Sequence, residues 1–451
     1  LISYLHIPEK ITPMKKNALL LALALTPQLS GFAQPACTGA GLYVDSMFAC
    51  VDVSNDIQFG TGVKDWGWGN VLCLDLNFPP YNTQLPLRLD LYEPCGDTAS
   101  ARPLIIAIHG GAWAGGNKGE MAAFGEYMAK RGFVVASVGY RLSLPGNILC
   151  WPGEVDSIRL HRAAMRGIQD AKAAVRYFRA NAGVFRIDPD YIFALGVSAG
   201  AFNALGLGYL DEQSERPGAC DAQPQYGEWL GNLLLPDMGS IEGNGGNLSQ
   251  SSAVRAVVSL SGAVTSLDVF DGPDDPPLLA FHGDADDVVP YGYDCALQGL
   301  IDLGLFDKCI RVNGPEVYIP AAQALGVPAE LITFPGGGHE ITPEQLEVIV
   351  AETTDFFCEL MWSAVGVKEK DVSVQVELFP NPVSEGRALM KVPEQYQGSR
   401  LSVYDLNGRM LLSVTIASSL QALDLSHFTP GLYIWKIQGG KGGTSGKFVV
   451  Q

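Results

Sequence analysis

Basic residues are few in this chain. Thirty Lys and Arg stand against 48 Asp and Glu, a formal net charge of −18. Such a surface repels nucleic-acid phosphates and anionic lipid, so neither is a partner to look for. The apolar run from Ala18 to Leu25 is far shorter than the ~20 residues of a spanning helix, and no transmembrane anchor is expected. No pair of cysteines has the spacing of a zinc knuckle. There is no internal repeat and no low-complexity tract beyond the glycines near 243–246. Nothing calls for a metal or an organic cofactor. Histidine is scarce, six in all, which leaves few candidates for a neutral-pH base.

What is present describes a globular, exported protein. Hydrophobic residues make up 47% and charged residues 17% of 451 positions, too many for one small core. Residues 1–36 read as an upstream extension to 13 followed by a signal peptide. Met14-Lys15-Lys16 is its basic start, Ala18–Leu25 its apolar run, and "SGFAQPAC" places cleavage near Ala33 or Gln34. Export permits disulfides. The nine cysteines are an odd number, so a monomer leaves at least one thiol unpaired. Cys295 and Cys309 would close a short loop and are the first expected bridge.

Residues 37–84 have weak periodicity and are expected to be an irregular extension. From 85 to 362, apolar runs alternate with helical patterns. "LPLRLDLYEP", "PLIIAIHGG", "FVVASVGYRL", "YIFALGV", "VRAVVSLSGA", "PLLAFHGD" and "ELITFPGG" read as strands. Helices are expected near 120–130, over 157–182, after Ser198 and over 342–362. This is the pattern of an α/β domain, a mostly parallel sheet with helices on both faces. Right-handed crossovers then put every parallel strand's carboxyl end on one edge, where ligands bind. Residues 211–252 interrupt the pattern as a long loop. Residues 363–373 read as a linker, and 374–451 as a small, turn-rich all-β sandwich.

One stretch carries chemistry. "GVSAG" sets Ser198 between Gly196 and Gly200 where a strand gives way to a helix. Such an elbow strains the serine backbone and leaves no room for side chains two residues away. A serine hydroxyl needs a base. His339, in "GGGHE" after the last strand, is the expected one. His109 and His282, each before a glycine at a strand end, are expected to orient their loops. His161 is expected to play a surface role. A base needs a carboxylate behind it. "HGDADDVVP" offers Asp284, Asp286 and Asp287, of which Asp286 is taken as the acid. An oxyanion hole is expected from the amides of Gly111 or Ala112, in "HGGAW", together with Ala199. Trp113, Trp151 and Tyr291 are expected to line a substrate pocket.

With "HGGAW", "GVSAG", "HGDADDVVP" and "GGGHE" in this order, residues 85–362 resemble the α/β-hydrolase superfamily, in the esterase and lipase branch that carries His-Gly-Gly beside the oxyanion hole. The resemblance implies Ser198 as nucleophile, Asp286 as acid and His339 as base. Ala112 stands where many relatives of the hormone-sensitive lipase type have a third glycine. The tail, with "LFPNPVSEG", "LSVYDLNGRML" and "LSHFTPGLYIWKI", resembles the type A sorting domain of the type IX secretion system. That implies passage through this machinery to the outside or to the cell surface, and removal of the tail there.

The expected activity is hydrolysis of a small-molecule or polymeric carboxylic ester through an acyl-enzyme. A peptidase of the same fold is the alternative, though the chain has no room for the propeller that usually selects peptide ends. A binding protein on a decayed hydrolase scaffold is the third reading, against which the intact serine, acid and base count.

Overall fold

The structure is a computed structural model that describes residue 43, residues 46–64, 83–144, 157–226, 233–297, 309–363 and most of 376–450. The expected signal peptide, Trp151, and Cys37, Cys73 and Cys150 lie outside the described residues, as does the expected linker apart from Ser363. The chain divides into two compact units, 1–359 and 360–451.

The first unit is built on an eight-stranded sheet. Its strands are β1 (Val51–Lys64), β2 (Thr83–Pro94), β3 (Arg102–Ile108), β4 (Val134–Val138), β5 (Ile187–Val197), β6 (Ala256–Leu260), β7 (Leu278–Gly283) and β8 (Ala329–Phe334). They lie in the order β1-β2-β4-β3-β5-β6-β7-β8. β1, β2 and β4 pair antiparallel, and from β4 onward every pairing is parallel. The central strands are apolar throughout because helices cover both faces; all of β3, β4, β6 and β7 is buried. Register then fixes one functional edge. Ile108 pairs with Gly196, Val197 with Leu260, and Gly283 with Phe334, so their carboxyl ends finish side by side.

One expectation about the N-terminal part is corrected. Part of the stretch thought irregular is the 14-residue edge strand β1, whose register shifts twice against β2. The shifts break the alternation of side chains, which is why its period is not legible. Cys50 and Cys95 tie its start to the end of β2.

The helices are α1 (Ala122–Ala129), α2 (Ser157–Ala180), α3 (Ala199–Tyr209), α4 (Pro315–Ala324) and α5 (Pro343–Ser363). The most informative is α2, which buries a polar stripe at helical spacing. Arg162 donates to the carbonyls of Ala219, Asp221 and Pro236. Gln169 donates to those of Met238 and Ser240. Lys172 and Arg176 hold Glu242. The described residues of the 211–252 stretch are therefore fastened to this helix by the carbonyls of Ala219, Asp221, Pro236, Met238 and Ser240, which would otherwise be buried without donors.

In the second unit, Glu377–Phe379, Arg387–Lys391 and Leu420–Asp424 form one sheet, and Arg400–Tyr404, Met410–Thr415, Gly431–Gly439 and Gly442–Val450 another. Met390 and Leu423 of the first pack with Leu401, Trp435 and Ile437 of the second. This is the expected all-β sandwich.

Candidate active site

Ser198 follows β5 directly and caps α3, with φ 54° and ψ −123°. That left-handed backbone costs about 1–3 kcal/mol for a residue with a Cβ. The flanking glycines explain how it is held. A Cβ on Gly196 would lie 2.0 Å from the Gly200 carbonyl oxygen, and one on Gly200 2.1 Å from that of Ile108. Strand, elbow and helix thus pack backbone to backbone.

Three side chains from three strand ends meet here. His339, five residues beyond β8, places Nε2 2.9 Å from Ser198 Oγ. Its Nδ1 lies 2.7 Å from Asp286 Oδ2. The other Asp286 oxygen accepts the amides of Val288 and Val289, each at 2.9 Å. All three side chains are buried. Burial alone would push the Asp286 carboxyl up. Hydrogen bonds from His282 and His339, the His339 charge and the Val289 amide outweigh it and hold the group well below the usual carboxylate range. The neighbouring aspartates do other things. Asp284 accepts the Gly336 amide at 2.6 Å, and Asp287 faces the adjoining cavity.

The "HGGAW" turn lies against the elbow: a Cβ on Gly110 would stand 3.3 Å from Ser198 Cβ. Gly111, Ala112 and Trp113 take positive φ in succession, 108°, 52° and 56°. Only glycine does so freely, so the turn needs outside support. The Gly111 carbonyl accepts the amides of Ala114 and Gly115. Trp113 donates Nε1 to Asn203 Oδ1 at 3.0 Å, and its carbonyl accepts the amides of Ser143 and Leu144. Tyr140 donates to the carbonyls of His109 and Gly110. Ala199 is the first residue of α3, where an amide has no acceptor within the helix. Gly111, Ala112 and Ala199 border the same cavity as Ser198 and His339.

His109 and His282 orient their loops as expected. His109 Nδ1 bonds the Gly110 carbonyl at 2.8 Å and its ring stacks on Tyr140; burial pulls its pKa down to about 4, against that hydrogen bond. His282 Nε2 donates to the Val289 carbonyl at 2.9 Å.

The pocket expectation divides. Trp113 borders the cavity. Tyr291 does not: its hydroxyl bonds Thr333 Oγ1 at 2.7 Å and its ring meets His282 edge-on, so it packs behind the acid loop. His161, expected at the surface, is half-buried in the cavity wall, on the face of α2 adjacent to its polar stripe. Asn203, the anchor of Trp113, has no signature; it is one polar residue in a largely apolar helix. The expected Cys295–Cys309 bridge is present, and Cys220 is a free, buried thiol.

Residues 89–273 match the family described as BD-FAE, and residues 377–451 the secretion system C-terminal sorting domain. A probable isoprenylcysteine alpha-carbonyl methylesterase of Oryza sativa subsp. japonica is 31% identical over 307 residues, 67% of this chain and 66% of that protein. A probable carboxylic ester hydrolase of Mycobacterium tuberculosis is 31% identical over 115 residues, 25% of this chain and 23% of that one. The chain thus spans no more than about two thirds of the length of these relatives. Among solved structures, Thermogutta terrifontis esterase 2 aligns with 20% identity and a TM-score of 0.43, covering 61% of this chain and 90% of that one. The chain belongs to the esterase branch of the α/β-hydrolase superfamily and carries a C-terminal sorting domain.

Proposed function

We propose that the chain is an exported serine hydrolase that cleaves carboxylic esters through Ser198, His339 and Asp286. The observation that carries this reading is the pair of contacts on one imidazole, 2.9 Å to Ser198 Oγ and 2.7 Å to Asp286 Oδ2. Asp286, held ionised, takes the Nδ1 proton of His339 as a hydrogen bond and leaves the Nε2 lone pair facing the hydroxyl. Oγ attacks the ester carbonyl carbon while Nε2 takes its proton. The carbonyl oxygen becomes an oxyanion, received by the amides of Gly111 or Ala112 and Ala199. Collapse expels the alcohol, protonated by His339, and leaves an acyl-serine. Water, losing a proton to the same nitrogen, then releases the acid and restores the hydroxyl. The sorting domain implies export or a place at the cell surface through the type IX machinery. The basic and apolar stretch over 14–36 is proposed as the signal peptide that begins this route.

Hydrolysis of p-nitrophenyl acetate tests the reading. Ser198→Ala and Asp286→Asn should each lower kcat by about a thousandfold or more, as loss of a member of such a unit does. Asp284→Asn and Asp287→Asn should stay within a few-fold of wild type. Turnover surviving in Ser198→Ala, or equal losses in the three aspartate variants, would sink it. Cleavage of aminoacyl anilides in place of esters would move the activity to peptides.

A further inference from the structure

The cavity beside Ser198 is about 1070 Å³, at the upper end of the roughly 300–1,000 Å³ of small-molecule sites. An acetyl group would leave nearly all of it filled with water. One wall comes from α2 and α3 and presents Leu160, Ala164, Met165, Ile168, Phe202 and Leu205. The facing wall includes Val264, Val288, Ala296 and Val312, the last two in the hairpin closed by Cys295 and Cys309. Most of the lining is apolar; its charged and hydroxyl side chains are His161, Glu215, Thr265, Ser266, Asp287 and Glu340 beside Ser198 and His339, and two of them are partly engaged. His161 Nδ1 lies 2.5 Å from the Ser157 carbonyl, and Glu215 Oε2 accepts the amides of Asp211 and Glu212 at 3.0 Å. A sugar bound there would bury hydroxyls against methyl groups, each a desolvation loss without a returning hydrogen bond. An apolar group would release water from apolar wall, which is favourable in proportion to the area covered.

We propose that the substrate is an ester bearing one large apolar group, of about eight carbons or more, seated against the α2–α3 wall, and not an acetylated or otherwise short-chain polar ester. This rests on the esterase reading above and narrows it. Ala164 is the small residue that keeps the wall open, since a longer side chain at that position would project from α2 into the space the apolar group fills.

The test is kcat/KM of the full chain on p-nitrophenyl acetate, butyrate and octanoate, each below its micelle concentration, with acetate and octanoate repeated on Ala164→Phe. Octanoate should exceed acetate by about tenfold, a part of what six more buried methylenes offer. Ala164→Phe should lower the octanoate-to-acetate ratio at least about fivefold by filling the wall. Should Ala164→Phe fail to fold, the wild-type series decides alone. A flat or falling series with acetate still hydrolysed overturns this inference and leaves the esterase reading standing, as does a ratio unchanged in folded Ala164→Phe. No hydrolysis of any ester overturns both.

Discussion

His282 Nε2 lies 3.2 Å from the same Asp286 oxygen that receives His339 Nδ1 at 2.7 Å. The Asp286 carboxylate thus has a second imidazole on it, from the penultimate residue of β7. Since Nε2 also meets the Val289 carbonyl at 2.9 Å, it must carry the proton and shares it between the two oxygens. His282 Nδ1 is buried with no partner among the described residues. On the proposed mechanism His282 would be a positioning residue, holding the carboxylate that holds His339.

The consequence is a shift in the pH profile. His282→Phe removes one donor from a buried carboxylate, a loss of about 1.5–3 kcal/mol, which corresponds to a fall in kcat/KM of about tenfold or more at pH 7. With fewer donors, Asp286 moves back up toward the ordinary range and is protonated sooner as the pH falls. The low-pH loss of activity at which Asp286 itself takes a proton should therefore begin at higher pH. Asp284 and Asp287 flank the acid, and Tyr291 packs on His282, so these are the other titratable groups to hold constant. His282→Gln keeps a donor of similar reach and should restore most of the profile. A lower rate with that low-pH loss unmoved would reduce His282 to packing.

Trp113 and Asn203 give a second prediction. Two consecutive non-glycine residues at positive φ, Ala112 and Trp113, persist only while their surroundings hold them. The indole bond to Asn203 is a main restraint and is buried. Trp113→Phe keeps the ring near Phe202 but loses the donor. The turn should relax and its amides leave the position of the oxyanion. We expect kcat to fall about tenfold to a hundredfold with KM within about twofold, because the loss is felt in the transition state. A rise in KM at constant kcat would assign Trp113 to substrate binding alone.

How much of this was legible in sequence follows from how each signal is made. The central strands are apolar because both faces are covered, so "PLIIAIHGG" and "PLLAFHGD" announce themselves. The elbow is legible for a similar reason: only glycine fits where Gly196 and Gly200 meet backbone. β1 was not, since its register shifts erase the alternation. The stripe of Arg162, Gln169, Lys172 and Arg176 looks like an ordinary solvated face; that it is buried under the loop over 211–252 depends on carbonyls that composition does not mark. Tyr291 was misplaced because an aromatic near an acid motif faces either side of its loop with equal ease. Only the bond to Thr333, 42 residues away in sequence, settles which.

His109 makes the stability of the fold depend on pH in a window of its own. Buried and stacked on Tyr140, it has a pKa of about 4, against 6.5 for the free side chain. The unfolded chain then binds a proton that the folded one refuses between those values, so stability falls as the pH drops from 6.5 toward 4 and is fully present above it. The difference corresponds to about 3 kcal/mol. Asp286 does not interfere: its depressed carboxyl is lost only below the ordinary carboxylate value near 3.9. Thermal denaturation of wild type and His109→Gln at half-unit steps from pH 7.5 to 4 separates this group from the other histidines. Wild type should start more stable and converge on the variant as the pH falls, because glutamine cannot take up the proton. Parallel curves would mean that His109 accepts a proton in the folded state as readily as in the unfolded one, and that the stack on Tyr140 is open to water.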